Sequence, residues 1–310
     1  MAKVLERSAY VLGSINMDMV ISTPYIPSQG ETLTGNNFFL NNGGKGANQA
    51  VAIAKQNVPT FLISAVGNDE FGKMTLNKLK SYNVNLDYVN TINNINTGVA
   101  MIIIENKDNR IILDSGANYK ISTLQIDKAL EHANENDVFV CQLENNEDAI
   151  YYGLKQAKKK KMITIFNAAP AKKIDQTIFN YVDYLIVNES ECEIISSIKP
   201  INQQEILKAY NFIKVKKLII TLGSKGSVLV EDEKIYQINA NKVDVVDTTA
   251  AGDTYVGVLA SQIINNKNMI EALNYASIAS SLTCKVQGAQ KSIPTEKDVE
   301  EYINNKEKGL

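Results

Sequence analysis

Asp253 closes a segment, starting at Asp247, in which small side chains are combined with two carboxylates. The alternating run Lys242 to Val246 before it is typical of a strand, and the apolar run Thr254 to Ile264 after it is typical of a helix. Small residues at a helix start let a phosphate reach unpaired backbone N–H groups, and the helix dipole favours an anion there. The dipole also favours an ionised Asp253, which can accept a hydroxyl proton. The segment therefore favours a phosphoryl-transfer site, although an ordinary strand-to-helix turn, with Thr248 or Thr249 near a cap and Gly252 as a spacer, also fits it.

A second glycine-rich segment, Gly43 to Gly46, lies far away in sequence and precedes a helical pattern that begins near Ala47. Glycine allows the backbone to come close to a ligand, and the amide of Asn48 can both donate and accept hydrogen bonds. Asn16 and Asp18, just past the first predicted strand, offer the same chemistry, although each alone is more typical of a turn. A polyol needs such paired contacts for its vicinal hydroxyls.

Short β-rich runs alternate with helical patterns along the chain, and Glu144 follows one of these runs. The predicted strands are Ala9 to Gly13, Thr60 to Ala65, Val138 to Gln142, Met162 to Phe166, Tyr184 to Val187 and Lys217 to Thr221. The predicted helices include Ala47 to Gln56, Phe71 to Tyr82, Ile150 to Lys159 and Glu205 to Ile213. This alternation indicates a mostly parallel sheet with helices on both faces, in which ligands bind at the carboxyl ends of the strands.

Two stretches, 18–40 and 96–114, break this alternation because they contain strand-like segments with no helix between them. They are expected to pair as a small separate sheet, while residues 1–310 form a single α/β domain.

Composition excludes several classes of protein. The 310 residues are 45% hydrophobic and 21% charged with a net charge of −2, which gives no field for gathering nucleic acid or an acidic membrane. The single histidine, His132, lies in a polar stretch predicted to be helical, so histidine-based nucleophilic or zinc sites are disfavoured. Three scattered cysteines and no signal-peptide pattern favour a cytoplasmic location.

Five motifs occur in the order and spacing of the ribokinase family of sugar and nucleoside kinases, which the chain resembles from about residue 13 to residue 294. They are Gly13 to Asp18, Gly43 to Asn48, Asn188 to Glu191, Thr221 to Gly226 and Asp247 to Asp253. The resemblance implies a three-layer α/β/α fold with a small β-sheet lid. It also implies ATP-dependent phosphorylation of the 5-hydroxyl of D-ribose, with small molecules as partners and a homodimer formed through the lid sheet.

The resemblance also assigns roles to individual positions. Catalysis falls to Asp253 as base, with Gly252, Ala251 and Ala250 as the anion hole. Sugar contacts fall to Asn16, Asp18, Gly44, Lys45, Gly46, Asn48, Glu144 and Asp253. Nucleotide contacts fall to Asn188, Glu191, Thr221, Gly223, Ser224, Lys225, Gly226, Gly252 and Ser277. Mg²⁺ would have Glu191 as an outer partner, and K⁺ would be held by Asp247, Thr249, Thr283, Val286, Gly288 and Ser292.

Local patterns leave some of these roles open. Asn188 and Glu191 also fit the capping box of a helix, and Thr221 to Gly226 also fits a plain hairpin turn. Many members of the family carry histidine where this chain has Ser277, so an adenine contact there stays open. The acceptor could also be 2-deoxyribose, fructose, pseudouridine or another nucleoside. A sensor without catalysis is a further alternative, whereas a nicotinamide oxidoreductase lacks its glycine fingerprint after the first strand.

Overall fold

A computed structural model describes residues 7–106 and 108–308. The strands in these residues are β1 (Ala9–Leu12), β2 (Asn16–Ser22), β3 (Asn36–Gly43), β4 (Thr60–Gly67), β5 (Val89–Ile92), β6 (Gly98–Glu105), β7 (Asp108–Asp114), β8 (Val138–Cys141), β9 (Ile163–Asn167), β10 (Tyr184–Asn188), β11 (Lys217–Thr221), β12 (Ser227–Glu231) and β13 (Lys234–Ile238). The α-helices are α1 (Lys45–Ala54), α2 (Glu70–Ser81), α3 (Thr123–Leu130), α4 (Glu147–Lys159), α5 (Glu189–Ser196), α6 (Gln203–Ile213), α7 (Ala251–Ile264), α8 (Met269–Thr283) and α9 (Glu296–Glu307).

Nine strands form the large sheet in the order β13-β12-β11-β10-β9-β8-β1-β4-β5. All neighbouring pairs are parallel except those of the hairpin β12–β13 and its contact with β11. The mostly parallel sheet expected from the alternating pattern is therefore confirmed. The antiparallel hairpin at one edge was not among the predicted strands.

Helices cover both faces of the sheet, because alternate residues of each buried strand point to opposite sides. In β1, Ala9 and Val11 join the core beneath α1, α2, α7, α8 and α9. Tyr10 and Leu12 join the core beneath α3, α4, α5 and α6. This arrangement confirms the three-layer α/β/α fold. Within the described ranges, every helix is too short or too polar to cross a lipid bilayer.

The order of the strands reverses at β1, which lies between β4 and β8. The chain builds one side of the sheet through β4 and β5, and then the other side from β8 to β11. In open α/β sheets the crevice at such a reversal, beyond the carboxyl ends of the strands, is where ligands bind. Asn16, Asp18 and Glu144 follow the ends of β1 and β8, and they are therefore placed beside this crevice.

Two local predictions were wrong. The run Lys242 to Val246 is not a strand, and Val245 and Val246 are mostly exposed instead of filling a sheet face. The N–H groups of Val246 and Asp247 donate to the carbonyl of Cys284, so this segment is tied to a loop rather than to a strand. His132 lies in an exposed turn after α3, which ends earlier than predicted.

The turn after β1 and the start of α1 approach so closely that two glycines meet. A Cβ atom built on Gly13 would lie 2.3 Å from the Gly46 Cα atom, and one built on Gly46 would lie 2.4 Å from Gly13. Real Cβ atoms do not come this close, so a larger residue at either position would push α1 away from the sheet. The contact fixes the amino-terminal end of α1 at the crevice.

The small sheet has the strand order β3-β2-β6-β7, and only its β2–β6 pair is parallel. Its strands come from the two stretches that break the alternating pattern, so the expected separate sheet is present. Asp69 at the start of α2 accepts hydrogen bonds from the Thr97 N–H and the Thr97 hydroxyl, just before β6. These bonds anchor the base of the small sheet to the large domain.

Candidate active site

A cavity of about 230 Å³ lies at the carboxyl ends of the central strands. Its lining comes from α1, from the ends of β9, β10 and β11, and from the start of α7: Lys45, Asn167, Ala169, Ile186, Val187, Asn188, Glu191, Thr221, Thr248, Ala250, Gly252, Asp253 and Val256. A second cleft of about 420 Å³ shares Asn188, Thr221 and Gly252 with it. The two spaces are therefore continuous, and Gly252 stands at their junction.

The two glycine-rich segments that the sequence singled out meet in this cavity. Asp253 is buried in the first turn of α7, and its Oδ2 atom accepts a hydrogen bond of 2.9 Å from Asn48 Nδ2 on α1. Its Oδ1 atom accepts a second bond, of 3.0 Å, from Gln49 Nε2. A carboxylate held at both oxygens has a fixed direction, which a proton acceptor needs.

The start of α7 offers backbone donors beside this carboxylate. Ala250 adopts a left-handed conformation with φ of 61°, and the Ala251 N–H donates to the Thr248 carbonyl. Among the described hydrogen bonds none uses the N–H of Gly252 or Asp253, which leaves both for an anion. The predicted anion hole therefore has its open donors at Gly252 and Asp253, while Ala251 completes the turn that shapes it.

Lys45 lines the other side of the cavity, and Glu144 holds its backbone. The Glu144 carboxylate accepts hydrogen bonds from the Lys45 N–H, at 3.0 Å, and from the Ser14 hydroxyl. Burial lowers the pKa of the Lys45 ammonium, but the carboxylates of Asp253, Glu144 and Glu191 outweigh burial and raise that pKa above its usual value. Lys45 therefore carries its positive charge throughout the neutral range, facing the open cavity.

Asp18 contributes a third carboxylate. Its side chain is only 8% exposed and lies across the glycine turn, so that a Cβ atom on Gly43 would be within 2.6 Å of the carboxylate. Burial, together with the nearby charges of Glu144 and Asp253, raises the pKa of Asp18 from 3.8 to about 7. Asn16 lies beside it, and its Oδ1 atom accepts a hydrogen bond of 2.7 Å from Asn118 Nδ2.

We expect Asp18→Asn to stabilise the ligand-free protein at pH 8. The folded chain holds the Asp18 proton between about pH 4 and pH 7 whereas the unfolded chain does not, so stability falls as the pH rises through this window. At about 1.4 kcal/mol per pKa unit, the ionised group costs up to about 4 kcal/mol above pH 7. In thermal unfolding from pH 4 to pH 8, the unfolding temperature of the variant should rise relative to that of the wild type as the pH increases. If the two unfolding temperatures follow the pH in parallel, this account is contradicted.

Several positions that the resemblance assigns to the nucleotide line the second cleft. Thr221 ends β11, Gly223 and Gly226 lie in the loop after it, and Ser277 comes from α8. The Ser277 hydroxyl donates to the Asn239 carbonyl at 3.3 Å. Two further predicted positions, Ser224 and Lys225, are exposed and do not line this cleft.

Asn188 and Glu191 form a complete capping box at the start of α5. The Glu191 N–H donates to Asn188 Oδ1 at 2.8 Å, and the Asn188 N–H donates to Glu191 Oε2 at 2.7 Å. Both residues also line the cavity. Burial raises the pKa of Glu191, although the bond from Asn188 and the charge of Lys45 oppose this shift. The capping interpretation is therefore confirmed, and it leaves these polar groups at the edge of the site.

The loops assigned to a monovalent cation lie together. Asp247 Oδ2 accepts from the Gly288 N–H at 2.8 Å, and its Oδ1 atom accepts from the N–H and hydroxyl of Thr249. Burial opposes ionisation of Asp247, but these hydrogen bonds outweigh it and lower the pKa of that carboxyl. Thr283 and Ser292, which lie on either side of Gly288 in the sequence, are buried, whereas the Val286 side chain is 45% exposed.

Sequence reasoning missed several buried polar residues that support the site. They are Ser14, Gln49, Asn118, Gln142 and Asn167, and each makes a side-chain hydrogen bond to one of the predicted site residues or to another member of this group. Gln142 and Asn167 follow or end predicted strands, so their position at the carboxyl edge of the sheet was a usable signal. Gln49 directly follows Asn48 in the glycine-rich motif.

Comparison with known proteins gives matches along nearly the whole chain. The sequence pattern of the pfkB family carbohydrate kinases matches residues 6–296. The chain is 33% identical over 305 residues to a ribokinase of Haemophilus influenzae, covering 97% of this chain and 100% of that protein. It is 31% identical over 300 residues to a deoxyribokinase of Salmonella typhimurium, covering 95% and 98%.

The fold also matches solved structures. A ribokinase of Arabidopsis thaliana, determined in complex with ribose and ATP, superposes with a TM-score of 0.88 at 30% sequence identity. The match covers 96% of this chain and 98% of that protein. The likeness therefore includes the small sheet as well as the large one.

Proposed function

The chain belongs to the pfkB family of carbohydrate kinases, and from this premise we propose that it transfers the γ-phosphoryl group of ATP to the 5-hydroxyl of D-ribose. The observation that carries the proposal is the contact between Asn48 and Asp253, because it brings the segment proposed to bind a polyol against the segment proposed to bind phosphate. Lys45 from the first segment and Asp253 from the second line the same cavity, so a sugar there would reach both.

Asp253 is proposed to accept the hydroxyl proton as the phosphoryl group moves in line from ATP to the sugar oxygen. The transition state of such a transfer is loose, so positioning and charge stabilisation lower the barrier more than the strength of the base does. The N–H groups of Gly252 and Asp253, with the Lys45 ammonium opposite, would stabilise charge on the moving group. Lys45, Glu144, Asp18, Asn16 and Asn48 would hold the sugar hydroxyls.

The cleft beyond Gly252 is proposed to hold the nucleotide, with Thr221, Gly223, Gly226 and Ser277 along its wall. Mg²⁺ bound with ATP would neutralise charge on the β and γ oxygens, and the Glu191 carboxylate, which lines the cavity, would suit its water shell. For Ser224 and Lys225, which are exposed, we propose at most contact with the outer part of the nucleotide.

A monovalent cation, K⁺, is proposed to bind between the loop beginning at Asp247 and the loop containing Gly288. The support is the hydrogen bond that already joins these two residues, together with the low pKa that keeps the Asp247 carboxylate charged. Backbone oxygens and a carboxylate suit such a hard ion. Asp247, Thr249, Thr283, Val286, Gly288 and Ser292 would provide the ligands. The bound ion would hold the turn before α7 in the shape that receives phosphate.

The proposed function is tested by measuring ADP release with a panel of pentoses, hexoses and nucleosides, with and without K⁺. We expect the highest kcat/KM with D-ribose and a higher rate when K⁺ replaces a larger organic cation. A preference for 2-deoxyribose would move the acceptor assignment, and the relative named as a deoxyribokinase makes this the main alternative. If no acceptor in the panel leads to ADP release, a sugar or nucleotide sensor without catalysis would be favoured.

We propose that residues 1–310 form a single domain. Its small sheet, from segments 18–40 and 96–114, would serve as a lid over the site and as the contact of a homodimer. Pairing across its strands places Leu40, Met19, Met101 and Ile112 in one row on the same face, with Phe38 two residues before Leu40 on the same strand. Phe38, Met101 and Ile112 are 57%, 51% and 63% exposed. An apolar surface of this kind is typical of a contact with a second copy.

We therefore expect Ile112→Lys to convert a dimer to a monomer in sedimentation experiments, because the ammonium would be buried unpaired in the contact. The control is Ile201→Lys, since Ile201 is 71% exposed in the loop between α5 and α6, outside the small sheet. If both variants sediment as the wild type does, the small sheet is not the dimer contact.

A further inference from the structure

Gln49 is a fully buried residue of α1 that no assignment above gives a role in the reaction. Its side chain contacts residues from three other elements. The Nε2 atom donates to Asp253 Oδ1 and to Asn167 Oδ1, both at 3.0 Å, and the Oε1 atom accepts from Gln142 Nε2 at 2.7 Å. Both amide hydrogens of Gln49 are therefore committed, and its carbonyl oxygen is held as well.

The direction of these hydrogen bonds is set by the backbone of the sheet. Asn167 Nδ2 donates to the Ile186 carbonyl of β10 at 3.1 Å, and a carbonyl can only accept. The Asn167 oxygen must then face Gln49, so Gln49 must present its NH₂ group to Asn167. The same NH₂ group therefore faces Asp253. Flipping the Gln49 amide would set its oxygen against the oxygens of Asp253 and Asn167, and its NH₂ group against that of Gln142.

Asn48, the other partner of Asp253, differs from Gln49 in one respect. Its Oδ1 atom is buried and has no hydrogen-bond partner among the described residues. Asn48 thus keeps an acceptor for a ligand, whereas Gln49 has no hydrogen left to offer. Asn48 can therefore accept a hydrogen bond from a substrate hydroxyl, whereas every polar atom of the Gln49 side chain is already used.

We propose that Gln49 is a positioning residue that holds the Asp253 carboxylate in its reactive orientation through a chain of amides anchored on the Ile186 carbonyl. The proposal rests on the proposed function, in which Asp253 is the base. While Asn48 offers its oxygen to the sugar, the bond from Gln49 to Oδ1 keeps the Asp253 carboxylate from rotating. A misplacement of about 1 Å at a reacting group can cost about 100-fold in rate.

The test compares Gln49→Met with Gln125→Met. Methionine has nearly the shape of glutamine but cannot form these hydrogen bonds. Gln125 is the matched control, because it is buried on α3 and its Nε2 atom also donates twice, to the carbonyls of Ser64 and Tyr88. We expect Gln49→Met to lower kcat by about 100-fold with KM for sugar and ATP within about threefold, while Gln125→Met keeps kcat.

A third variant, Gln142→Met, keeps Gln49 but removes the donor that holds its oxygen, and we expect an intermediate loss of about tenfold in kcat. Thermal unfolding of all three variants reports the structural cost separately. Equal kcat losses for Gln49→Met and Gln125→Met, or a loss that lies in KM alone, would overturn the positioning role. Turnover by the wild type decides the proposed function, and the ratio between the variants decides the role of Gln49.

Discussion

Replacing Asp253 with asparagine is expected to lower kcat with ATP and D-ribose by about 1,000-fold, because a positioned general base contributes about 100- to 10,000-fold. The exchange changes few atoms in size and removes the charge. It also places an NH₂ group opposite a donor, since Asn48 and Gln49 each present an N–H to one oxygen of residue 253. We therefore expect a measurable loss of stability in addition to the loss of rate.

The measurement is steady-state ADP release over a range of sugar and ATP concentrations, with thermal unfolding on the same samples. KM for each substrate should stay within a few fold, because the proposed sugar contacts of Asp18, Glu144 and Lys45 are unchanged. Near-normal kcat in the variant would mean that the proton leaves by another route, and Asp253 would then be only a structural partner of α1.

Much of this site was accessible from the sequence because its parts follow a general rule of parallel sheets. Asn16, Asp18, Glu144 and Asn188 all come at or after the carboxyl ends of strands, and the strands themselves are buried apolar runs with a strong pattern. Once the strands were recognised, these residues had to gather at one edge. The contacts of Asn16, Asp18 and Glu144 with the turn from Gly43 to Lys45 followed from the fold and not from sequence spacing.

The amides of Gln49, Gln142 and Asn167 escaped prediction because the signal for each is spread over distant parts of the chain. A buried glutamine in α1 does not fit the apolar pattern of a buried helix until the residues at the strand ends that satisfy its hydrogen bonds are known. The strand predicted for Lys242 to Val246 was wrong for the opposite reason. Its alternation is regular, but the segment pairs with no strand among the described residues. Local pattern predicts an element only where a partner exists to bury it.

Two glycines of α7 illustrate how the structure separates a binding role from a packing role. A Cβ atom on Gly257 would lie 2.5 Å from the Ala52 Cβ atom and 2.6 Å from the Gln49 carbonyl oxygen, so Gly257 allows α1 and α7 to touch. A Cβ atom on Gly252 would meet nothing within 4 Å. Close packing therefore requires glycine at position 257, whereas packing gives no reason for glycine at position 252.

We therefore expect Gly252→Ala to fold as stably as the wild type, or up to about 1 kcal/mol more stably, because alanine is favoured over glycine in a helix. Its methyl group would project into the junction of the sugar cavity and the nucleotide cleft, where a phosphate must approach the N–H groups of Gly252 and Asp253. We expect kcat/KM for ATP to fall by about 100-fold, which is the cost of losing one oxyanion donor.

The control is Gly257→Ala, for which the order of effects should be reversed. Its added methyl group meets backbone and side-chain atoms of α1, so we expect a loss of about 1–3 kcal/mol in the free energy of unfolding. Urea unfolding and ATP kinetics on the two variants separate the outcomes. If Gly252→Ala binds and turns over ATP as the wild type does, the phosphate does not pass through the start of α7, and the transfer would have to be assigned to another part of the cleft.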